Sequence, residues 1–360
     1  FLERRTMKAI GSYIFAGGFT IGVKNHFDVK AHFEGDGEYG GDTFSLNYPD
    51  IPIYSGPEDW PTEEWKDKVD FIYGNPPCAP WSTLGSSSKG ADGWKDDPRI
   101  SCWNDVFSLL YSVRPRALAI ESVPRVYSET GGRPMIEDFT RKAKKEGYSV
   151  THLLVDGQYT GLPHSRKRFF FLAHKGNFNP PSPNWSPASS VGEILDELKA
   201  DGVEPGHMGK LNENEMNLVK ISKPGESLRN IWERLNPPET WIRSPTGRKG
   251  VKGRPQFMKW RLKREQTMGV IAGGFAIHPE EDRLLGIKEL AYFSGYPVDY
   301  KFAGPASGWP SLLARGVMPP VGEWLARNVK AMLQSNAGFE INDKIIDYRK
   351  PLLQEDLFNA

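Results

Sequence analysis

The stretch "AIGSYIFAGGF" (Ala9–Phe19) is a short apolar run that leads into two adjacent glycines. This pattern predicts a buried strand followed by a tight turn. Similar runs follow in "FDVKAHFEGD", which ends in acidic residues, and in "KVDFIYGNPPC", "RPRALAIESVPRVYS", "SVTHLLVD" and "RFFFLAH". We therefore expect a sheet whose first strand ends at the glycine turn.

Segments with helical spacing lie between several of these strands. In "SCWNDVFSLLYSV" the apolar residues Val106, Leu109, Leu110 and Val113 recur at helical intervals, and "MIEDFTRKAKKEGY" ends at Gly147 as a helix would. Alternating strands and helices predict an α/β fold, a Rossmann-like domain with a mostly parallel sheet. Ligands of such sheets bind at the carboxyl ends of the strands, which is where the glycine turn, the acids, the Pro-Pro-Cys segment and Glu121 are expected to meet.

The composition is that of an ordinary globular protein. The chain has 360 residues, 38% of them hydrophobic, and a net charge of +1. No uninterrupted apolar run reaches the length of a membrane-spanning helix, so we expect no membrane contact. Cys78 and Cys102 are too few for a disulfide framework or a four-cysteine metal site, so we expect a cytoplasmic protein without a metal. We also expect Met7 to be the natural first residue.

The sequence changes character after Gly176. We expect a first catalytic part at 8–177, a smaller irregular region at 178–264, a return to the catalytic domain at 265–335 and a tail at 336–360. The middle region opens with the linker-like "NFNPPSPNWSPASS". It closes with a basic stretch, "RSPTGRKGVKGRPQFMKWRLKR", which holds nine Lys and Arg and no acidic residue.

Cys78, Glu121, Arg166 and Arg168 are candidates for chemistry. A thiolate is a strong nucleophile, and the prolines before Cys78 would stiffen its turn. Glu121 follows an apolar strand, where burial would raise its pKa and let it donate a proton. The arginines are two positions apart, so a strand would place both on one face. Taken singly, each has a plainer explanation: a buried cysteine, an exposed loop acid and a solvated strand edge.

Together, these segments resemble the cytosine-C5 DNA methyltransferases of bacteria and phages. "FAGGFTIG" is similar to the family's cofactor loop, "GNPPCAPWS" to its nucleophile motif and "IESV" to its Glu-Asn-Val. "GLPHSRKRFFFL" resembles Pro-Gln-x-Arg-x-Arg, and "RLLGIKELAYFSGYP" and "ARGVMPPVGEWLA" resemble the two late motifs. Six motifs in the family's order cover roughly 8–177 and 265–335.

The resemblance implies an enzyme that transfers a methyl group from S-adenosylmethionine to C5 of a flipped cytosine in double-stranded DNA. It implies that Cys78 attacks C6, that Glu121 protonates or hydrogen-bonds N3, and that Arg168, helped by Arg166, holds the O2 side. The segment Ala79 to Arg99 is expected to close over the base. We expect a monomer, in a bacterium or a phage-infected cell, that serves a restriction-modification role.

The resemblance also implies the cofactor and DNA contacts. Phe15 would contact the adenine, Gly17 and Gly18 the methionine part, Glu34 the ribose hydroxyls and Asp59 the adenine amino group, while Asn75 and Pro76 would line the methyl-transfer end. The middle region would read the DNA. The expected DNA contacts are Ser82, Arg243, Arg248, Lys249, Lys252, Arg254, Lys259 and Arg261; a solvated basic loop is the plainer alternative for the basic stretch.

Several positions depart from the family pattern. "FAGGF" has two residues fewer than Phe-Ala-Gly-x-Gly-Gly-Phe, from which we expect altered cofactor handling, such as a modified sulfonium donor. Ala79, Ser122 and His164 replace Gln, Asn and Gln, and in the last motif Arg315 replaces Asn and Met318 replaces Pro. Two alternatives stay open: a cytosine-C5 methyltransferase acting on RNA, and a catalytically silent DNA-binding relative.

Overall fold

The computed structural model describes residues 6–35, 40–81, 94–181, 183, 188–235, 259–269, 275–335 and 337–350. The strands found there are β1 (Lys8–Ser12), β2 (Asp28–Glu34), β3 (Ile53–Ser55), β4 (Phe71–Gly74), β5 (Ala117–Ser122), β6 (Ser149–Asp156), β7 (Lys167–His174), β8 (Trp260–Arg261), β9 (Ala276–Ile277) and β10 (Asp343–Tyr348).

Eight of these strands form one sheet in the order β10-β6-β7-β5-β4-β1-β2-β3. Every neighbouring pair is parallel except those of β7, which runs antiparallel to both β5 and β6. The carboxyl ends of β1, β2, β4 and β5 therefore lie along one edge, and β7 begins at that edge because its direction is reversed. The prediction of an α/β fold with a mostly parallel sheet is confirmed.

The helices are α1 (Gly18–Lys24), α2 (Gly41–Asn47), α3 (Thr62–Trp65), α4 (Ile100–Ser112), α5 (Arg133–Lys145), α6 (Val191–Ala200), α7 (Glu213–Ile221), α8 (Leu228–Leu235), α9 (Ile287–Phe293), α10 (Trp309–Arg315) and α11 (Pro319–Gln334). No helix in these described ranges is both long and apolar enough to cross a membrane.

The sheet is covered on both faces. Along β7, Phe170 and Leu172 belong to one apolar cluster, while Phe169 and Phe171 belong to another on the opposite face. A strand buried on both faces reads as a continuous apolar run, as "RFFFLAH" does.

The middle region is more helical than its sequence suggested. Helices α6 and α7 each begin with a capping box, Ser190 with Glu193 and Asn212 with Glu215. Side chains of α7 and α8 pack with Ile277 and Leu284 in a small core of their own. This core therefore includes residues beyond the boundary expected at 264.

The expected tail at 336–360 contains a strand. Residues of β10 pair with β6 in parallel from Asp343 opposite Val150 to Tyr348 opposite Val155. Residues 343–348 of this segment therefore complete one edge of the main sheet.

Candidate active site

The turn after β4 holds Cys78 at the ligand-binding edge of the sheet. The Asn75 N–H donates to the Ser12 carbonyl at 3.0 Å, which extends the β1–β4 pairing past Gly74. The Trp103 indole N–H donates to Pro77 O at 3.4 Å, and the Trp81 N–H donates to Cys78 O at 3.0 Å. The free thiol of Cys78 is thus held by a fixed backbone, in a residue that is partly exposed.

Glu121 lies beside this turn on β5 and is buried. Its Oε1 pairs with Arg168 Nε at 2.5 Å, and its Oε2 accepts from Asn75 Nδ2 at 2.5 Å. Arg168 enters from the start of β7, which runs antiparallel to β5. The antiparallel strand therefore brings a guanidinium to a carboxyl group near the nucleophile.

Charges in this cluster are coupled. Burial raises the pKa of Glu121, and Arg168 and Arg166 oppose that shift. Burial also raises the pKa of the Cys78 thiol, the Glu121 carboxylate raises it further, and the same arginines lower it. Protonating Glu121 therefore favours the Cys78 thiolate, so the site can pair an acid with a nucleophile.

Arg166 contacts the C-terminal part of the domain. It precedes β7, is buried, and its Nη2 donates to Ala314 O at 2.6 Å and to Gly316 O at 3.0 Å. These carbonyls lie at the end of α10 and just after it. Arg166 therefore fixes the C-terminal part of the domain, and its expected help to Arg168 at O2 remains a prediction.

Asp156 is a site residue that the sequence analysis missed. It is buried at the end of β6, and its carboxylate accepts from Arg166 N and Ser165 Oγ, each at 2.8 Å. These bonds shape the entry to β7 and so position Arg168. Its place at the end of "SVTHLLVD", like that of Glu121 after "ALAI", was the signal that could have found it.

Glu34 ends β2 at the same edge and is buried. Its Oε1 accepts from Ile14 N at 2.9 Å, and within the described residues no hydrogen bond to Oε2 occurs. Burial raises the pKa of Glu34 to about 8. An acid at the end of the second strand, with an oxygen to spare, fits the ribose hydroxyls of S-adenosylmethionine.

The loop from β1 to α1 allows a second alignment with the motif that was expected to be shortened. Phe15 has φ 52°, in the left-handed region that favours glycine. Without a gap, "YIFAGGF" (Tyr13–Phe19) aligns with Phe-Ala-Gly-x-Gly-Gly-Phe, so Phe15 takes the place of the first glycine and Tyr13 that of the first phenylalanine. We infer a loop of ordinary length, which removes the argument for an altered donor and makes Tyr13 a second candidate for the adenine contact given to Phe15.

Gly17 and Gly18 are required by the protein's own packing. Gly17 has φ 87°, and a Cβ there would lie 2.6 Å from the Phe44 ring. A Cβ on Gly18 would lie 2.3 Å from both the Tyr296 hydroxyl and Val317 O. Their expected contacts with the methionine part remain predictions.

The structure shows where the other expected cofactor residues lie, and their roles remain predictions. Asp59 is exposed in a helical turn after β3, while Asn75 and Pro76 are buried in the Cys78 turn. Of the substituted motif residues, Met318 is packed in the core and Arg315 is exposed. His164 is buried, which lowers its pKa to about 3, so its imidazole is neutral.

One of the expected DNA contacts is corrected. Arg261 is buried and donates to Ser222 Oγ at 2.8 Å, to Val219 O at 2.8 Å and to Asp282 at 2.5 Å. This cation stabilises the small core instead of facing phosphates. Lys259 pairs with Glu215 and is partly exposed, so its expected DNA contact remains a prediction. The other expected contacts lie outside the described residues: Ser82, Arg243, Arg248, Lys249, Lys252 and Arg254.

Comparisons with known proteins agree with this geometry. The family described as "C-5 cytosine-specific DNA methylase" matches residues 13–331. The chain is 24% identical over 342 residues to the type II methyltransferase M1.HphI of Haemophilus parahaemolyticus, covering 88% of this chain and 85% of that one. It is 26% identical over 346 residues to M.MthTI of Methanothermobacter thermautotrophicus, covering 89% and 96%.

Solved structures share the fold. The Entamoeba histolytica methyltransferase EhMeth is similar with a TM-score of 0.63 at 12% identity, covering 92% of this chain and 100% of that one. The S. pombe Dnmt2 methyltransferase is similar with a TM-score of 0.53 at 12% identity, covering 91% and 100%. Since the family pattern spans most of the sequence, this chain belongs to the C-5 cytosine-specific DNA methylases.

Proposed function

We propose that this protein methylates C5 of cytosine in double-stranded DNA through a covalent bond between Cys78 and C6. The observation that carries the proposal is the cluster of Cys78, Glu121 and Arg168 at the carboxyl edge of the sheet, in which the ionisation of the thiol and of the carboxyl group depend on each other.

The residues act on the base in a defined order. The Cys78 thiolate forms a bond to C6 while Glu121 gives its proton to N3, so no net negative charge accumulates on the ring. Arg168 donates to O2. Bound S-adenosylmethionine supplies an electrophilic methyl group for C5, and Glu34 is the residue proposed to hold its ribose. After methyl transfer the C5 proton leaves to solvent, the C6–S bond breaks to expel the Cys78 thiolate, and the Glu121 carboxylate takes back the N3 proton, which restores the aromatic ring.

The names of relatives support a biological role. Several similar proteins are type II methyltransferases, so we propose that this protein modifies DNA in a restriction-modification setting of a bacterium or a phage-infected cell. We propose that it acts as a monomer in the cytoplasm. The target sequence can be found by expressing the protein in a host and sequencing the host DNA by a method that reports modified cytosine.

Covalent trapping tests the reaction. With 5-fluorocytosine in the target position, C5 keeps its fluorine after methyl transfer, so the adduct cannot resolve. We expect the wild-type protein with S-adenosylmethionine to form a denaturation-resistant adduct with duplex DNA, and Cys78→Ala to form none. Cys102→Ala serves as the matched control and should react, because Cys102 lies on α4 and is not one of the residues of the cluster. An adduct on RNA only, or on neither nucleic acid, would contradict the proposal.

A further inference from the structure

The nitrogen of the Asn75 side-chain amide donates a hydrogen bond, whereas its oxygen has no hydrogen-bond partner among the described residues. The nitrogen, Nδ2, donates to Glu121 Oε2, and the oxygen, Oδ1, is shielded from solvent. A buried acceptor without a partner is unfavourable, by about 1–3 kcal/mol, so its retention calls for an explanation. Asn75 is three residues before Cys78, in the same turn.

The three polar groups around Glu121 have a fixed order. Arg168 binds Oε1 on one side of the carboxyl group and Asn75 binds Oε2 on the other. Because Nδ2 is held by the carboxylate, the amide cannot rotate without losing that bond, and Oδ1 stays an acceptor. Along this row the protein therefore presents a guanidinium donor, an acid and an amide acceptor.

The pairing edge of cytosine has the complementary order. It presents O2 as an acceptor, N3 as an acceptor and the N4 amino group as a donor. If O2 meets Arg168 and N3 meets Glu121, N4 lies on the Oε2 side, where Asn75 is. This step rests on the proposed function, since it takes a cytosine as the bound base.

We propose that Asn75 Oδ1 accepts a hydrogen bond from N4 of the flipped cytosine and is a specificity-determining residue for that base. Uracil and thymine carry an oxygen at this position, which would face Oδ1 acceptor to acceptor. A site built around such a hydrogen bond rejects bases that lack the donor.

A base analogue tests the contact. Two duplexes carry the target sequence, one with cytosine and one with 2-pyrimidinone, which lacks only the 4-amino group. The rate of covalent adduct formation is measured in single turnover, and the ratio of the two rates is compared between proteins, which cancels the intrinsic reactivity of each base. We expect the preference for cytosine to be about 5- to 100-fold larger in the wild-type protein than in Asn75→Ala.

Two further variants make the result decisive. Ser122→Ala removes a buried hydroxyl next to Glu121 that also has no hydrogen-bond partner among the described residues, and it should keep the wild-type preference. Asn75→Asp keeps an acceptor and should also keep the wild-type preference for cytosine, even if its overall rate falls. Should Asn75→Ala fail to fold, the preference of Asn75→Asp is compared with that of Asn75→Leu instead. Equal preferences in the wild-type protein and in the variants without an acceptor would overturn the proposal. Failure of the wild-type protein to react with either duplex would instead refute the proposed function.

Discussion

In the proposed mechanism Glu121 has to be protonated when the base binds, although carboxyl groups are usually ionised near neutral pH. Burial raises its pKa, so its acid form persists to higher pH than that of an exposed glutamate. The proton available for N3 is lost as the pH rises through this raised value. Over the same range the Cys78 thiolate becomes more abundant, so the rate should pass through a maximum.

Glu121→Gln should remove the alkaline decline in the rate. The glutamine amide donates a hydrogen bond at every pH but cannot transfer a proton, so we expect the rate of methyl transfer to fall by roughly 10²–10³-fold. Single-turnover rates across the pH range provide the measurement. Glu137→Gln, on the exposed surface of α5, is the control that should keep the wild-type profile. An unchanged alkaline decline in Glu121→Gln would show that another group is the acid.

Part of the candidate site could be predicted from the positions of individual residues in the sequence. Cys78, Glu121 and Arg168 follow from their places beside predicted strands, because strand ends converge in a parallel sheet. Arg166 lies just outside the strand that its spacing from Arg168 predicts, because β7 begins only at Lys167. Its partners, Ala314 and Gly316, are distant in sequence, and no local pattern reveals them.

At the scale of elements, β10 shows where periodicity was insufficient. An edge strand that buries one face should alternate charged and apolar residues. In "DKIIDY" the alternation is only partial, because Ile345 lies on the exposed side and Lys344 on the partly buried side. Ile346 and Tyr348 pack against the main core, and the Tyr348 hydroxyl donates to Pro180 O at 3.0 Å. Ile345 points the other way and is 57% exposed. Helices α6 and α7 were missed for another reason, since their capping boxes were not counted.

Two substitutions on β10 should differ in their effect on stability. Tyr348→Ala removes a ring packed edge-on against Trp324 and the bond to Pro180, so we expect a loss of about 1–3 kcal/mol in the free energy of unfolding. Ile345→Ala, on the exposed side, should change it by less than about 0.5 kcal/mol. Urea denaturation of both variants measures this. Equal losses would mean that β10 does not contribute through its buried face.

At the scale of the whole molecule, helices α1 and α11, from opposite ends of the described chain, pack directly against each other. A Cβ on Gly22 of α1 would lie 2.3 Å from Glu323 N and 2.4 Å from Pro319 O, so the two helices approach at backbone distance. Gly322 makes the reciprocal approach to Phe19. The cofactor loop is therefore supported by residues near the other end of the sequence, which explains why the late motif "GVMPPVGEW" belongs with the first one in space.

Arg166 adds polar contacts between distant parts of the chain, because its guanidinium, just before β7, donates hydrogen bonds to the carbonyls of Ala314 and Gly316. Arg166→Met keeps much of the side-chain volume but leaves the Ala314 and Gly316 carbonyls without their donor. We expect a loss of about 2–4 kcal/mol in the free energy of unfolding, measured by urea denaturation.

Arg168→Met is the matched control for this prediction. Arg168 pairs with Glu121, whose carboxyl group can take up a proton once the guanidinium is gone, so the stability loss should be smaller while the rate of adduct formation falls steeply. Arg166→Met should show the opposite pattern, with a large stability loss and, under conditions where the variant is folded, a preserved dependence of the rate on the O2 group of the base. If Arg166→Met were as stable as the wild-type protein and lost only activity, Arg166 would belong with the residues that bind the base, and its hydrogen bonds to Ala314 and Gly316 would contribute little to stability.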